Sequence, residues 1–309
     1  MALPNSGHAI AFAMTGSTPP AAIANTMVRV YAGNATGLGR GSGTVIDMVH
    51  DPVGTAGWLC VLTADHVVAP SIEPGGYTIV GFENELGMGA LYDSRVVTLH
   101  LERGPMFDST HRVDLAILGV RIADMSTLPT MTMPFIGSPR IGSHTSYVAG
   151  YGSTATLNGP LRRYEVLTGS YGVFHNAFAV WADQPVHEIG SYKYESIRYE
   201  THFGPTDPTI PATDGTAHTL RGDSGGPSWT EEAFTWTLNG VHSSSHMTTL
   251  PDGSFVVTEG ESWNDVRVAS YKDWIDTSCL AVVPEPSSFL ALGLGVAALT
   301  RRKHRARSK

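Results

Sequence analysis

The chain has 309 residues, with Gly 34, Pro 19 and only 16% charged residues. That is enough for one large or two modest domains, and the balance favours a turn-rich all-β protein over a helical one. The net charge of −8 understates the acidity of the body: the last nine residues hold six of the 20 Lys and Arg, and without them 14 basic residues face 28 acidic ones, a balance of −14. Such a body repels polynucleotides, so no nucleic-acid partner is expected.

Residues 1–24 hold a short apolar run, Ala9–Met14, and then Thr18-Pro19-Pro20, without a basic start. This is a poor secretory signal, read as a leader or flexible lead-in unless the chain starts further upstream. Strand signals begin at Met27–Tyr31 and continue through Gly41–Asp47, Gly57–Thr63, Tyr77–Gly81, Gly89–Leu101 and Leu115–Arg121. These short β-branched runs, broken by Gly, Asn and Asp, read as antiparallel strands joined by hairpins. Their number suits one small closed barrel over residues 25–135. After a Leu128–Arg140 linker come His144–Tyr151, Arg162–Val173, Ala177–Ala182, Ser196–Glu200, Ser228–Gly240 through His242, and Phe255–Thr258, spanning 136–280. The long polar loop Thr201–Thr219 is expected to border a substrate site, because loops of that length inside compact domains are usually functional. Val268, Tyr271, Trp274 and Ile275 fall at helical spacing and predict a helix over Val266–Ile275.

Two cysteines, Cys60 and Cys279, make no disulfide framework and no metal cluster. One bridge between them is open. The reading favours a buried thiol in the Trp58–Leu62 strand and a free one near the tail. Beyond Cys279 the character changes. Val283-Pro284-Glu285-Pro286 precedes the mostly apolar Ser287–Thr300, and a basic cluster closes the chain. Residues 281–309 therefore resemble the bacterial PEP-CTERM sorting signal. That resemblance implies export to the cell surface or beyond, recognition by an exosortase-type enzyme, transient membrane insertion of the apolar segment, and removal of the tail. The basic cluster would stay on the cytoplasmic side. The plainer alternative is a C-terminal membrane anchor, for which the apolar run is short.

Arg221-Gly222-Asp223-Ser224-Gly225-Gly226-Pro227 organises the rest of the chain. Its glycines allow positive φ and close approach of another chain, so Ser224 can sit on a tight turn with its hydroxyl exposed. Serine alone is a weak nucleophile and needs a base with an orienting partner. Leu62-Thr63-Ala64-Asp65-His66 places a histidine after an apolar strand, and Val113-Asp114-Leu115-Ala116-Ile117-Leu118 opens another strand with an aspartate. The order His66, Asp114, Ser224, at intervals of about fifty and about a hundred residues, is that of the chymotrypsin arrangement. Together these motifs resemble the trypsin/chymotrypsin family of serine endopeptidases. Asp108, in a polar loop without a following strand, is the rejected rival to Asp114.

The resemblance implies two six-stranded antiparallel β-barrels with a closing C-terminal helix and a cleft between them. His66 and Asp114 lie on the first barrel and Ser224 on the second. It implies a polypeptide substrate, an oxyanion hole from the Gly222 and Ser224 amides, and neither cofactor nor metal. Asp65 stands where the family usually has a small residue; it either raises the basicity of His66 or points to solvent. The family counterpart of Asp223 is neutralised by an N-terminal amine freed by cleavage, and no Arg/Lys-Ile-Val-Gly-Gly site occurs here. His218, six residues before Ser224, maps to the base of the primary pocket, with Thr219, His242, Ser243 and Ser245 along its walls. A histidine with hydroxyls suits a glutamate before the scissile bond. A core histidine is the competing reading of His242. The Ser243–Ser245 backbone is expected to pair with substrate as an added strand.

Gly-Asp-Ser-Gly-Gly also fits the Gly-x-Ser-x-Gly elbow of α/β-hydrolases. Those enzymes need an acid and then a histidine after the serine. No carboxylate ahead of His242 and His246 suits a separate strand end, after Asp252 the only histidine is His304 in the tail, and alternating strand–helix units are lacking. His242 and His246 are four apart but lack the glutamate of a His-Glu-x-x-His zinc site. The alternative from another class is a non-catalytic, surface-attached binding module built on the same fold.

Overall fold

The computed structural model describes residues 20–83, 89–99, 111–138, 145–158, 161, 163–171, 175–183, 186–201 and 218–283. The first residues of the lead-in, Asp108, the body of the Thr201–Thr219 loop and the sorting tail beyond Val283 lie outside them. Pro20 leads into a single helical turn, α1 (Ala21–Ala24), whose Ile23 is 1% exposed and whose Ala22 carbonyl accepts from the Thr132 amide at 2.8 Å. The lead-in is thus part of the packed body from Pro20 onward.

Strands β1 (Met27–Asn34), β2 (Gly37–His50) and β3 (Gly57–Thr63) are followed by a helical turn, α2 (Asp65–Val68). Then come β4 (Tyr77–Glu83), β5 (Gly89–Leu99) and β6 (Ala116–Ile122). All six close into one antiparallel barrel in the order β1-β2-β3-β6-β5-β4. β3 and β6 are neighbours, and Leu59, Val61, Leu62, Ile117, Leu118 and Val120 are all fully buried. Near-continuous β-branched runs of this kind suit strands covered on both faces. Register shifts in β2 between Val45 and Asp47, and in β5 between Val96 and Thr98, supply the local bends that a small barrel uses to close.

The second half contains β7 (Phe135–Ile136), β8 (Thr145–Gly150), β9 (Ser153–Asn158), β10 (Arg163–Tyr171), β11 (His175–Asp183) and β12 (Val186–Ile189). It continues with β13 (Tyr192–Glu200), β14 (Pro227–Glu232), β15 (Thr235–Ser245), β16 (Thr248–Thr249), β17 (Phe255–Thr258) and β18 (Ser262–Arg267). Among the described residues the second half forms two sheets, and the larger returns on itself where β11 pairs with β13. β9 and β10 pair with β16 and β17 in a four-stranded sheet, while the larger one runs β11-β8-β14-β15-β18-β13-β12, with β7 against β15. β11 also meets β13, through only Trp181↔Tyr199 and Asp183↔Arg198 with a register shift between them. Two of the segments counted toward a closed barrel, β10 and β17, pair with each other. One continuous core still runs through both halves, from Val30, Leu59 and Ile117 to Trp229, Leu238, Val241 and Val266.

Two element readings are corrected. Ser228–His242 is a hairpin of β14 and β15, not one strand, and its two-residue loop, Ala233-Phe234, has φ of 47° and 66°. A loop with both central residues left-handed normally asks for Asn-Gly, and nothing in Ala-Phe announces it. Ala233→Asn with Phe234→Gly is expected to raise stability by about 1–2 kcal/mol, seen as a higher denaturation midpoint in urea. The expected helix over Val266–Ile275 starts later: β18 runs to Arg267, Val268–Tyr271 is a 3-10 turn, and α3 spans Lys272–Leu280.

α3 reaches the first barrel, where Cys279 is bonded to Cys60 of β3 with the Cα atoms 5.5 Å apart. This overturns the reading of two unpaired thiols. Sequence carries no Cα separation, and a bridge depends on it. Val282, 2% exposed, extends the contact: its carbonyl accepts from Arg95 Nη2 at 3.0 Å.

Candidate active site

The neighbouring strands β3 and β6 bring the histidine and aspartate together. Thr63 pairs with Ala116, so the chain leaving β3 and the chain entering β6 run side by side. Extended Ala64 leads into α2, which presents His66, and Asp114 lies two residues before β6. The Asp114 carboxylate is 1% exposed and grips His66 at two points. Oδ1 accepts the His66 amide at 2.9 Å, and Oδ2 meets Nδ1 at 2.7 Å. A carboxylate only accepts, so Nδ1 carries the proton and Nε2 is left to act as a base. The imidazole is 34% exposed. Burial pulls His66 down, but the charge and hydrogen bond of Asp114, helped by the Asp65 charge, leave it net above its ordinary value.

Oδ2 of Asp114 also accepts from Ser243 Oγ, which in turn accepts from the Tyr194 hydroxyl at 2.6 Å. Ser243 is the extra residue of a bulge in β15: His242 pairs with Asp265 and Ser244 with Asn264, so Ser243 has no partner of its own on β18. A bulge re-aims a side chain, and here it sends a hydroxyl across to the first barrel. The residue expected to meet substrate through its backbone thus also fixes the orienting carboxylate.

The Ser224 turn is seated on the same barrel. Its amides are engaged from Asp223 N to the Leu220 carbonyl at 3.0 Å, Gly225 N to the His242 carbonyl at 2.7 Å, and Gly226 N to the Asp223 carbonyl at 2.8 Å. Gly222 and Gly225 take φ of 97° and 83°, which an L side chain would strain. A Cβ on Gly225 would also stand 2.2 Å from both the Ser42 carbonyl oxygen and Thr63 Oγ1. One on Gly41 would stand 2.6 Å from a Val67 methyl carbon and 3.0 Å from the Ser224 carbonyl oxygen. The backbone of Ser224 and the residue after His66 therefore flank one bare glycine. Ser42 joins the pieces. Its amide donates to the Ser224 carbonyl at 2.7 Å, its hydroxyl to the Gly222 carbonyl at 3.1 Å, and its Oγ accepts from Tyr151 N at 3.0 Å.

Asp65 does not point to solvent. It is fully buried, and Arg112 Nη1 approaches its Oδ2 at 3.3 Å. Burial pushes Asp65 up, against hydrogen bonding from Tyr192 and the Arg112 charge. Arg112 also lies over the Tyr192 ring at 5.5 Å and accepts the Lys193 amide at 2.9 Å, tying β13 to the approach to Asp114. Were His66 the base of a hydrolysis, its raised value would make the rate climb with pH through a midpoint above the ordinary imidazole value. Asp65→Asn removes a negative charge that favours the imidazolium, so the acid limb of kcat/KM is expected to move to lower pH, read from a pH–rate profile of both proteins.

Three of the five expected pocket residues are buried. His218 is 0%, Thr219 3% and His242 2% exposed. His218 Nδ1 meets Thr201 Oγ1 at 2.8 Å and its ring stands edge-on to buried Trp263 at 5.3 Å. Burial pushes His218 down to about 3, so it is neutral. His242 Nδ1 meets Asp265 Oδ1 at 2.7 Å. Ser243 and Ser245 are half-buried. Sequence reasoning missed Ser42, Asp265 and Tyr194. Gly41-Ser42-Gly43 is the one local signal among them, a small residue between glycines where another chain comes close.

No curated protein matches the chain in sequence. It is similar to the solved structure of Deg5 at 15% identity and a TM-score of 0.45, over 82% of this chain and 88% of that one. It is similar to the thermostable serine protease AL20 from an extremophilic microorganism at 12% identity and 0.48, over 82% and 97%. For a scabies mite inactivated protease paralogue the values are 18% and 0.47, over 85% and 98%. Residues 282–305 match the PEP-CTERM protein-sorting motif, so the chain carries a C-terminal sorting signal, and the barrel of its first half and this signal meet at buried Val282.

Proposed function

We propose that the chain is an exported serine endopeptidase that works through His66, Asp114 and Ser224. His66 Nε2 takes the Ser224 proton as Oγ attacks the scissile carbonyl. Asp114 holds the imidazole in the Nδ1-protonated form and stabilises the imidazolium. The Gly222 and Ser224 amides hold the tetrahedral oxyanion. His66 returns the proton to the leaving amine, and water then attacks the acyl-enzyme on Ser224 with His66 again as base. The Ser243–Ser245 edge pairs with the substrate backbone. The tail, residues 281–309, is recognised by an exosortase-type enzyme while its apolar segment is inserted in the membrane.

The observation that carries this reading is the two-point contact of Asp114 with His66, 2.9 Å to the amide and 2.7 Å to Nδ1. It fixes both ring orientation and tautomer, and a merely structural histidine needs only one such bond. For the expected acidic preference, a substrate glutamate would have to share His242 with Asp265. Full-length protein treated with a serine-directed phosphonate, and given peptides that differ only by Glu, Arg or Phe before the scissile bond, tests the proposal. Labelling at Ser224 with hydrolysis of any of the three supports the endopeptidase, and the ranking reads the preference. Folded protein that neither labels nor cleaves is the binding module.

A further inference from the structure

Charged and backbone groups from three elements converge on His242. From β18 comes Asp265, fully buried, with Oδ1 2.7 Å from Nδ1. From the Ser224 turn comes Asp223, also fully buried, whose charge favours the imidazolium, and from β8 the Ala149 carbonyl favours it as a hydrogen-bond acceptor. The two oxygens of Asp223 are anchored separately, Oδ1 by Gly152 N and Oδ2 by Leu220 N, each at 2.7 Å. The His242 backbone clamps the turn as well: its carbonyl accepts Gly225 N at 2.7 Å and its amide donates to the Gly226 carbonyl at 2.8 Å. A Cβ on Gly226 would stand 3.1 Å from His242 Cδ2, so the imidazole backs directly onto the turn.

We propose that His242, ion-paired with Asp265, is a positioning residue of the Ser224 turn: its buried cation holds Asp223, and through it the amides around Ser224, in their working geometry. This rests on the endopeptidase reading of the same site and gives His242 a different task from contacting substrate. A buried carboxylate is tolerated only with compensating charge or hydrogen bonds. Burial pushes Asp223 up to about 7 even against its two amide donors and the His242 charge. Burial likewise pulls His242 down, but the Asp265 charge and hydrogen bond, then Asp223 and the Ala149 carbonyl, leave it above 6.5. The imidazolium thus adds to the Leu220 and Gly152 amides in favouring the ionised form of Asp223. Its loss would leave Asp223 and Asp265 buried without its charge.

The full-length protein is assayed on the Glu, Arg and Phe peptides as wild type, His242→Gln, Asp265→Asn and the double variant. His242→Gln is expected to lower kcat for every peptide by about 10- to 100-fold, less than the roughly 10²–10³ for a lost oxyanion donor, with KM nearly unchanged. The double variant, which removes the uncompensated charge, is expected to recover part of that loss, because neighbours that interact are not additive. Unchanged kcat in His242→Gln, or a loss confined to the Glu peptide, would overturn the proposal. If the variants do not fold, or the wild type does not turn over, NMR of the wild type decides. The His242 ring is expected to lose its proton above pH 6.5, carrying the Gly225 and Gly226 amide signals with it. Amides that stay still through that titration sink the inference whatever the fate of the protease reading.

Discussion

Ser224→Ala is expected to lower kcat/KM on any peptide that the wild type cleaves by about 10⁴–10⁶-fold, while leaving the fold and thermal midpoint in place. The serine is half-buried on a turn whose shape comes from Gly222, Gly225 and the Ser42 contacts, none of which uses its hydroxyl. Alanine therefore removes the nucleophile and little else. Asp114→Asn should cost about 10⁴-fold, since an amide in place of Oδ2 no longer secures the tautomer with Nε2 free. The double variant should be no worse than Ser224→Ala, because the residues act on one proton transfer and their effects do not add. Steady-state rates with burst-titrated enzyme check all three. If Ser224→Ala retains wild-type turnover, another nucleophile does the chemistry and the proposed function fails.

The second large effect is on stability. The Cys60–Cys279 bond closes a loop across a sequence separation of 219. Closing so long a loop restricts the unfolded chain strongly, by about 3–5 kcal/mol on the chain-entropy account. Replacing both cysteines by serine is expected to lower the thermal midpoint by on the order of 10 °C for a chain of this size. Cys60 is 3% and Cys279 7% exposed, so two buried hydroxyls would add to the loss. Melting curves with and without reductant on wild type and double variant measure this. Equal midpoints for all four would show that the cysteines are not bridged in solution. A bridge of this kind also fits an oxidising compartment, in keeping with export.

Much of the first barrel was legible because its strands are short β-branched runs separated by glycine and polar breaks. Such runs pack on a pleated face whatever their partner. His66 and Asp114 were legible for a related reason, since each stands at the end of such a run. Ser42 was not, because its bonds reach Gly222 across 180 positions and depend on how the turn seats on β2. Asp265 looked like any polar residue on a strand, and only the register His242↔Asp265 gives it a role. The Ser243 bulge moved a hydroxyl from the substrate side to Asp114, a change of direction that period-two reasoning cannot see. The strand order of the second half was not legible, because strand count says nothing of which strands pair. β10 satisfies its hydrogen bonds with β9 and β17.

The bond between β3 and α3 also decides what a nick does to the molecule. A cut anywhere between Asp114 and Ser224 leaves one fragment with His66 and Asp114 and another with Ser224 and the sorting tail. Cys60 lies in the first and Cys279 in the second, so the two remain one covalent body. A nick in that interval would thus leave His66, Asp114 and Ser224 on one covalently joined molecule, linked through β3 and α3.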